Sequence, residues 1–147
     1  MAINQAMSNT PAILEKRLYT ASATATGGRD GRGKSDDGIL DLALVPPGSG
    51  KAGTNPEQLF AVGYAACFGS AIAAVARIQK ITTGPVSVTT KVTLGTVGQG
   101  YGLAVELEAS IPEMPRDKAE ALVAAAHQVC PYSNATRGNI VVDVKLA

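Results

Sequence analysis

The sequence predicts an α+β fold of order ββαββαβ, with antiparallel strands packed with two main helices. Three patterns carry that expectation. Runs alternating at period two, rich in Thr and Val, come in pairs separated by glycine and polar turns. A long apolar segment follows Thr54, where Pro56 and Glu57 have the character of a first helical turn. A second, amphipathic segment opens at Pro115 and Asp117 and closes at Cys130-Pro131, because a residue before proline disfavours the helical region. A chain of 147 residues can bury a real core, and one domain over 1–147 is expected.

In chain order, residues 1–15 read as a loosely ordered arm. "RLYTASATATGG" alternates and reads as a strand ending at Gly27-Gly28. "RDGRGKSDDG" is a polar turn and "ILDLALV", from Ile39 to Val45, a second strand, which together make a hairpin with a long charged tip. "PPGSGKAG" breaks structure before the first helix, where Thr54 and Glu57 have capping-box spacing. That helix should run to about Lys80 and stop before Gly84-Pro85. "VSVTTKVTLGTV" and "GLAVELEASI" form an antiparallel pair around "GQGYG". The helix "PRDKAEALVAAAHQVC" follows, and "NIVVDVKL" is the last strand.

Charge and composition narrow the function classes. The net charge of +1 has no basic stripe behind it, Trp is absent, and Phe and Tyr number 2 and 4. Neither a phosphate-reading patch nor a set of stacking platforms is visible, so nucleic-acid binding is not expected. Met1 to Ala12 carries no apolar signal core, which makes the cytoplasm the expected compartment. Leu59 to Ala76 is uncharged and reaches the length, about 18 residues, of a membrane-span candidate. Much of it is Ala, Gly and Ser, and no aromatic belt or basic flank supports insertion. A buried helix, suited by its small residues to close backbone approach, is the better reading, and no membrane partner is expected.

Two cysteines, Cys67 mid-way along the first helix and Cys130 at the end of the second, are too few and too far apart for a metal cluster or C-x-x-C motif. Two readings stand: inert core thiols, or a redox pair that is transiently bridged. A mid-helix thiol in apolar surroundings is unreactive unless a cation reaches it. Arg29 and Arg32, in "GGRDGR", are candidate cations, although for Arg29 alone a solvated turn is the simpler explanation. Glu57 is explained by the capping box, and direct contact with Cys67 is excluded because it lies roughly 15 Å away along a straight helix. A role at that thiol would go through an Arg or come from a neighbouring subunit. His127 precedes Cys130 by one turn, as a base for the thiol or as a partner for the helix dipole.

The blocks "LYTASATATGGRDGR", "GTNPEQLFAVGYAACF" and "HQVCPYSNATRGNI" resemble, in that order, the organic hydroperoxide resistance (Ohr) branch of the OsmC/Ohr superfamily. The likeness runs from about Leu18 to the end. It implies an intertwined homodimer with active sites at the subunit interface. The activity implied is that of a cysteine-based thiol peroxidase, reducing alkyl and fatty-acid hydroperoxides to alcohols. By motif match Cys67 would be the peroxidatic cysteine and Cys130 the resolving one. Arg29 would hold the Cys67 thiolate and orient the peroxide, and Glu57 would fix Arg29. An apolar wall from Phe60, Tyr64 and Phe68 would favour alkyl peroxides over hydrogen peroxide. No bound cofactor or metal is implied; dihydrolipoamide or a lipoylated protein, served by lipoamide dehydrogenase, would be the reductant. Two other readings remain: an OsmC-branch peroxidase of broader range, and a non-enzymatic thiol redox sensor.

Overall fold

Glycine decides how the chain turns in its first sheet. The computed structural model describes residues 10–147, so most of the expected 1–15 arm lies outside the described residues. The described chain falls into two compact units, one ending at Leu59 and the other Phe60–Ala147. In the first unit β1 (Ala23–Thr26), β2 (Gly31–Ser35) and β3 (Asp41–Leu44) form an antiparallel sheet in that order. The expected hairpin with a long charged tip is thereby corrected, since the middle of that tip is itself a strand. Gly27 and Gly28 take φ of +81° and +61°, reversing the chain within a few residues, and Asp30 N–H donates to the Gly27 carbonyl at 3.2 Å. Gly38, at φ +74°, turns it back. A Cβ on Gly31 would stand 1.8 Å from the Thr26 carbonyl oxygen, so only glycine fits there.

The first helix, α1 (Pro56–Ile78), begins at a different cap from the one expected. Pro56 fills the first helical position, so the cap falls on Asn55, whose Oδ1 accepts Gln58 N–H at 2.9 Å. Thr54 Oγ1 donates instead to Gln58 Oε1 at 2.7 Å. The Thr54–Glu57 capping box does not form, and the Glu57 carboxylate is left for another partner.

In the second unit α1 buries Tyr64, Phe68, Ala71, Ile72, Val75 and Ala76, a stripe at three- and four-residue spacing. By length and composition α1 could cross a membrane. That stripe is instead the centre of a protein core shared with Val105, Leu107, Leu122 and Ala126. The helix stops two residues before the expected Lys80. Lys80 is left-handed, at φ +56°, and Ile81 N–H donates to the Ala76 carbonyl at 2.8 Å, closing the helix.

β4 (Ser87–Val97) and β5 (Gly100–Ser110) pair antiparallel across a tight turn. α2 (Arg116–Val129) and the short α3 (Pro131–Thr136) lead to β6 (Val142–Leu146). β6 lies parallel to β5, which corrects the all-antiparallel expectation. The reason is the connection, because a helical crossover brings the chain back in the same direction. The α+β class stands, with the order refined to βββαββααβ among the described residues.

Candidate active site

Two constellations of side chains are candidates for the chemistry, one in each unit. In the first, the β1–β2 turn presents Arg29 and the opening turn of α1 presents Glu57. Arg29 Nη1 and Nη2 donate to Glu57 Oε1 and Oε2 at 2.7 and 2.8 Å, a bidentate fork. Both residues belong to the same chain. The Arg29 side chain is 47% exposed and that of Glu57 only 15%. The guanidinium's hydrogen bonds hold the Glu57 carboxyl below its ordinary value against the opposing effect of burial. The pair therefore stays charged at neutral pH and aims a fixed cation from a glycine-built turn.

In the second unit, Cys67 lies half-buried on α1, and Cys130 is fully buried at the joint between α2 and α3. Their sulfurs stand 3.5 Å apart with both thiols free. Burial pushes the Cys67 thiol up, the backbone N–H of Tyr132 pulls it down, and the neighbouring Cys130 adds to the rise. Cys130 has extended backbone, φ −63° and ψ 123°, imposed by Pro131, and it ends one helix while starting the next.

A buried polar chain surrounds that joint. Tyr64 Oη lies 2.8 Å from Ser133 Oγ and 3.2 Å from Thr136 Oγ1. Ser133 Oγ is also 2.7 Å from His127 Nδ1. Arg137 closes the outside, donating to the His127 carbonyl and, at 2.7 Å, to Asn134 Oδ1. Burial, with the Arg137 charge second, pushes the His127 imidazole down, favouring its neutral form. His127 thus bonds Ser133. Its ring also sits 6.3 Å from that of Phe68.

The three aromatic side chains expected to form a substrate wall part company. Tyr64 and Phe68 are enclosed in the core at 0% exposure. Phe60 lines an open, mostly apolar groove of about 560 Å³ with Leu103, Tyr132 and Ile140. The Tyr132 ring meets Phe60 at 5.7 Å and Tyr64 at 5.5 Å. Gly63 makes room for it, because a Cβ there would lie 2.8 Å from Tyr132 Oη. Sequence reasoning singled out neither Tyr132, Ser133 nor Thr136. Pro131 as a helix-opening residue, with Ser133 and Thr136 three apart on one face, is the signal that could have found them.

A profile of the OsmC family, described as OsmC-like protein, matches residues 48–145, which include Glu57, Cys67 and Cys130. An organic hydroperoxide resistance protein of Xanthomonas axonopodis pv. citri is 54% identical over 138 residues, covering 90% of this chain and 97% of that one. The chain belongs to the Ohr branch of the OsmC family. Another Ohr relative, organic hydroperoxide resistance protein OhrB of Bacillus subtilis, is 50% identical over 137 residues, covering 88% and 96% of the two chains. Among solved structures, an organic hydroperoxide resistance protein from Legionella pneumophila matches with a TM-score of 0.85 at 51% identity. That match covers 90% of this chain and 99% of that one.

Proposed function

We propose that this Ohr-branch protein is a lipoyl-dependent thiol peroxidase acting on organic hydroperoxides. The observation that carries the reading is the 3.5 Å approach of two free thiols in different settings, Cys67 within a helix and Cys130 at a joint. The Cys67 thiolate attacks the distal peroxide oxygen, the O–O bond breaks, and the alkoxide leaves and is protonated to the alcohol. Cys67 becomes a sulfenic acid. The Cys130 sulfur then attacks the Cys67 sulfur, an S–S bond forms, the S–O bond breaks and water leaves. A dihydrolipoyl dithiol reduces the disulfide by exchange and is itself oxidised to the cyclic disulfide.

Burial, with Cys130 adding to it, holds the Cys67 thiol high, which works against a reactive thiolate at neutral pH. The chemistry therefore needs a cation, and Arg29, held by Glu57, is the residue we assign to it. A guanidinium stabilises the thiolate and the charge growing on the leaving oxygen without giving up a proton. The apolar groove at Phe60 suits an alkyl substituent. Exposed Tyr19, Ile39, Val62, Ile78 and Val141 support a second copy of the chain as partner in a homodimer. The expected setting is the cytoplasm.

The test is a peroxidase assay with dihydrolipoamide as reductant. Wild type should turn over an alkyl hydroperoxide steadily, Cys67→Ser should be inactive, and Cys130→Ser should oxidise once and stall. Full activity in Cys67→Ser would overturn the proposal. Stoichiometric oxidation of wild type without turnover would make the protein a thiol switch.

A further inference from the structure

We infer that the hydrogen-bonded chain Tyr64–Ser133–His127 is a positioning device that holds Cys130 for the resolving step. The inference rests on the peroxidase reading above, in which Cys130 must close on Cys67. A disulfide has its sulfurs about 2.05 Å apart. From 3.5 Å the sulfurs must draw together by roughly 1.5 Å. Cys67 sits within the longest helix, so the joint at Cys130 is the part able to give. How far it gives depends on what fastens the residues on either side.

Those fastenings converge on Ser133. Its hydroxyl ties α3 to α1 through Tyr64 and to the last turn of α2 through His127, three residues after Cys130 and six after His127. Thr136 Oγ1 reaches the same Tyr64 hydroxyl and donates to the Ser133 carbonyl at 3.3 Å. Arg137 fastens the far end of α3 to the His127 carbonyl. The Tyr132 ring, seated over Gly63, pins the residue two beyond the thiol. Cys130 is thus bracketed in sequence by His127 on one side and Ser133 on the other, and both meet at one oxygen.

A core has no need of such a cluster for stability. Apolar side chains of the same shape serve about as well, whereas a half-satisfied polar group is costly. The chain avoids that cost in either direction of donation. Ser133 and Tyr64 each carry one hydrogen and two lone pairs, and His127 Nδ1 can donate or accept. The two bonds of the Tyr64–Ser133–His127 chain therefore survive when the imidazole changes tautomer, and the Cys130 joint keeps its place. The Tyr64–Thr136 contact gains its own hydrogen when Nδ1 is the donor.

The experiment follows the two steps separately. Reduced protein is given one equivalent of cumene hydroperoxide, and Cys67 sulfenic acid is trapped with dimedone while disulfide closure is followed by mass spectrometry. In Ser133→Ala, closure should slow about tenfold to a hundredfold, the cost of a small misplacement of reacting groups. Trapped sulfenic acid should rise accordingly, with the oxidation of Cys67 unchanged. Tyr64→Phe, which keeps the Ser133–His127 bond, should show the same split more weakly and serves if Ser133→Ala does not fold. Leu122→Val, a core change on α2 away from this chain of bonds, should leave the ratio of the two steps alone. Unchanged closure in both network variants, or oxidation and closure slowed together, would overturn the inference.

A second arm uses diamide, which takes up the two hydrogens of a dithiol to become a hydrazine and leaves a disulfide without any peroxide. The same slowing is expected there. Wild type that closes with diamide but consumes no hydroperoxide would sink the peroxidase reading and leave this inference standing. Equal closure in all variants with both oxidants would overturn this inference and leave peroxidase turnover intact.

Discussion

The protein keeps two polar constellations of opposite character. Arg29 and Glu57 are charged, partly open to water, and carried by a glycine-rich turn and a helix start. Tyr64, Ser133 and Thr136 are buried and bear hydroxyls, and the half-buried His127 that joins them is held toward its neutral form. An ion pair in partial contact with water adds little to stability, because solvent already satisfies both charges. A buried hydroxyl chain is the reverse: each member is satisfied only by the others, so removing one strands its neighbours. The difference teaches a division of labour. The open pair is free to be spent on chemistry, and the closed chain is committed to holding shape.

The sharpest way to break that division is at Arg29. Arg29→Ala should lower kcat/KM for an alkyl hydroperoxide by about 10²–10³-fold, the scale of losing one charge-stabilising donor. Its unfolding midpoint should fall only slightly, by the small contribution of a partly exposed ion pair. Arg29→Lys should not restore activity, because an ammonium cannot make the two-pronged bond that Glu57 now accepts. Glu57→Gln should lose less, since the guanidinium keeps its charge and loses only its anchor. Activity surviving in Arg29→Ala would remove this pair from the mechanism.

Next in size is the mirror image of that experiment. Tyr64→Phe should cost about 1–3 kcal/mol in chemical denaturation, because Ser133 Oγ and Thr136 Oγ1 both lose their common partner. Thiol oxidation by peroxide should be spared. A neutral effect on stability would show that the buried hydroxyls re-pair among themselves, and the contrast between the two constellations would soften.

The two constellations were also unequally legible. Cys67, Cys130, Arg29 and Glu57 stand in motif blocks whose resemblance to the Ohr branch is specific. Yet Glu57 by itself read as a capping residue, and only the shift of the cap to Asn55 frees it. Ser133 and Thr136 were illegible for a physical reason: in "CPYSNATRG" hydroxyls look like turn residues, and nothing local says that a tyrosine 69 residues earlier will meet them. Strand β2 was hidden because Gly31 and Gly33 occupy its inward positions and leave no apolar alternation to read. β6 was visible as a strand, but its direction depends on a crossover that includes an unforeseen helix, α3.

The smallest expected effect is on acid stability, and it separates the two constellations by pH window. His127 takes up its proton in the native state below its ordinary value of 6.5, because burial and then the Arg137 charge oppose it. Just below 6.5 the unfolded chain therefore binds more protons, and stability falls as pH drops through that window. The groups facing this imidazole are the Ser133 hydroxyl and the Arg137 guanidinium, with Glu120, Arg116 and Lys145 in the adjoining groove. Glu57 has the same sign in a lower window, since the stability from its bond to Arg29 is present above the ordinary 4.5 and lost as pH falls through its depressed native value. Denaturation midpoints measured from pH 7 to pH 3 should accordingly show two shallow steps. Glu57 shares the lower one with Asp37 and Asp41, whose carboxyls are likewise held low by the hydrogen bonds they accept. His127→Gln should erase the upper step and leave the lower one. An upper step that persists in His127→Gln would mean that some other group titrates there, and the closed chain would not be the acid-sensitive part of the core.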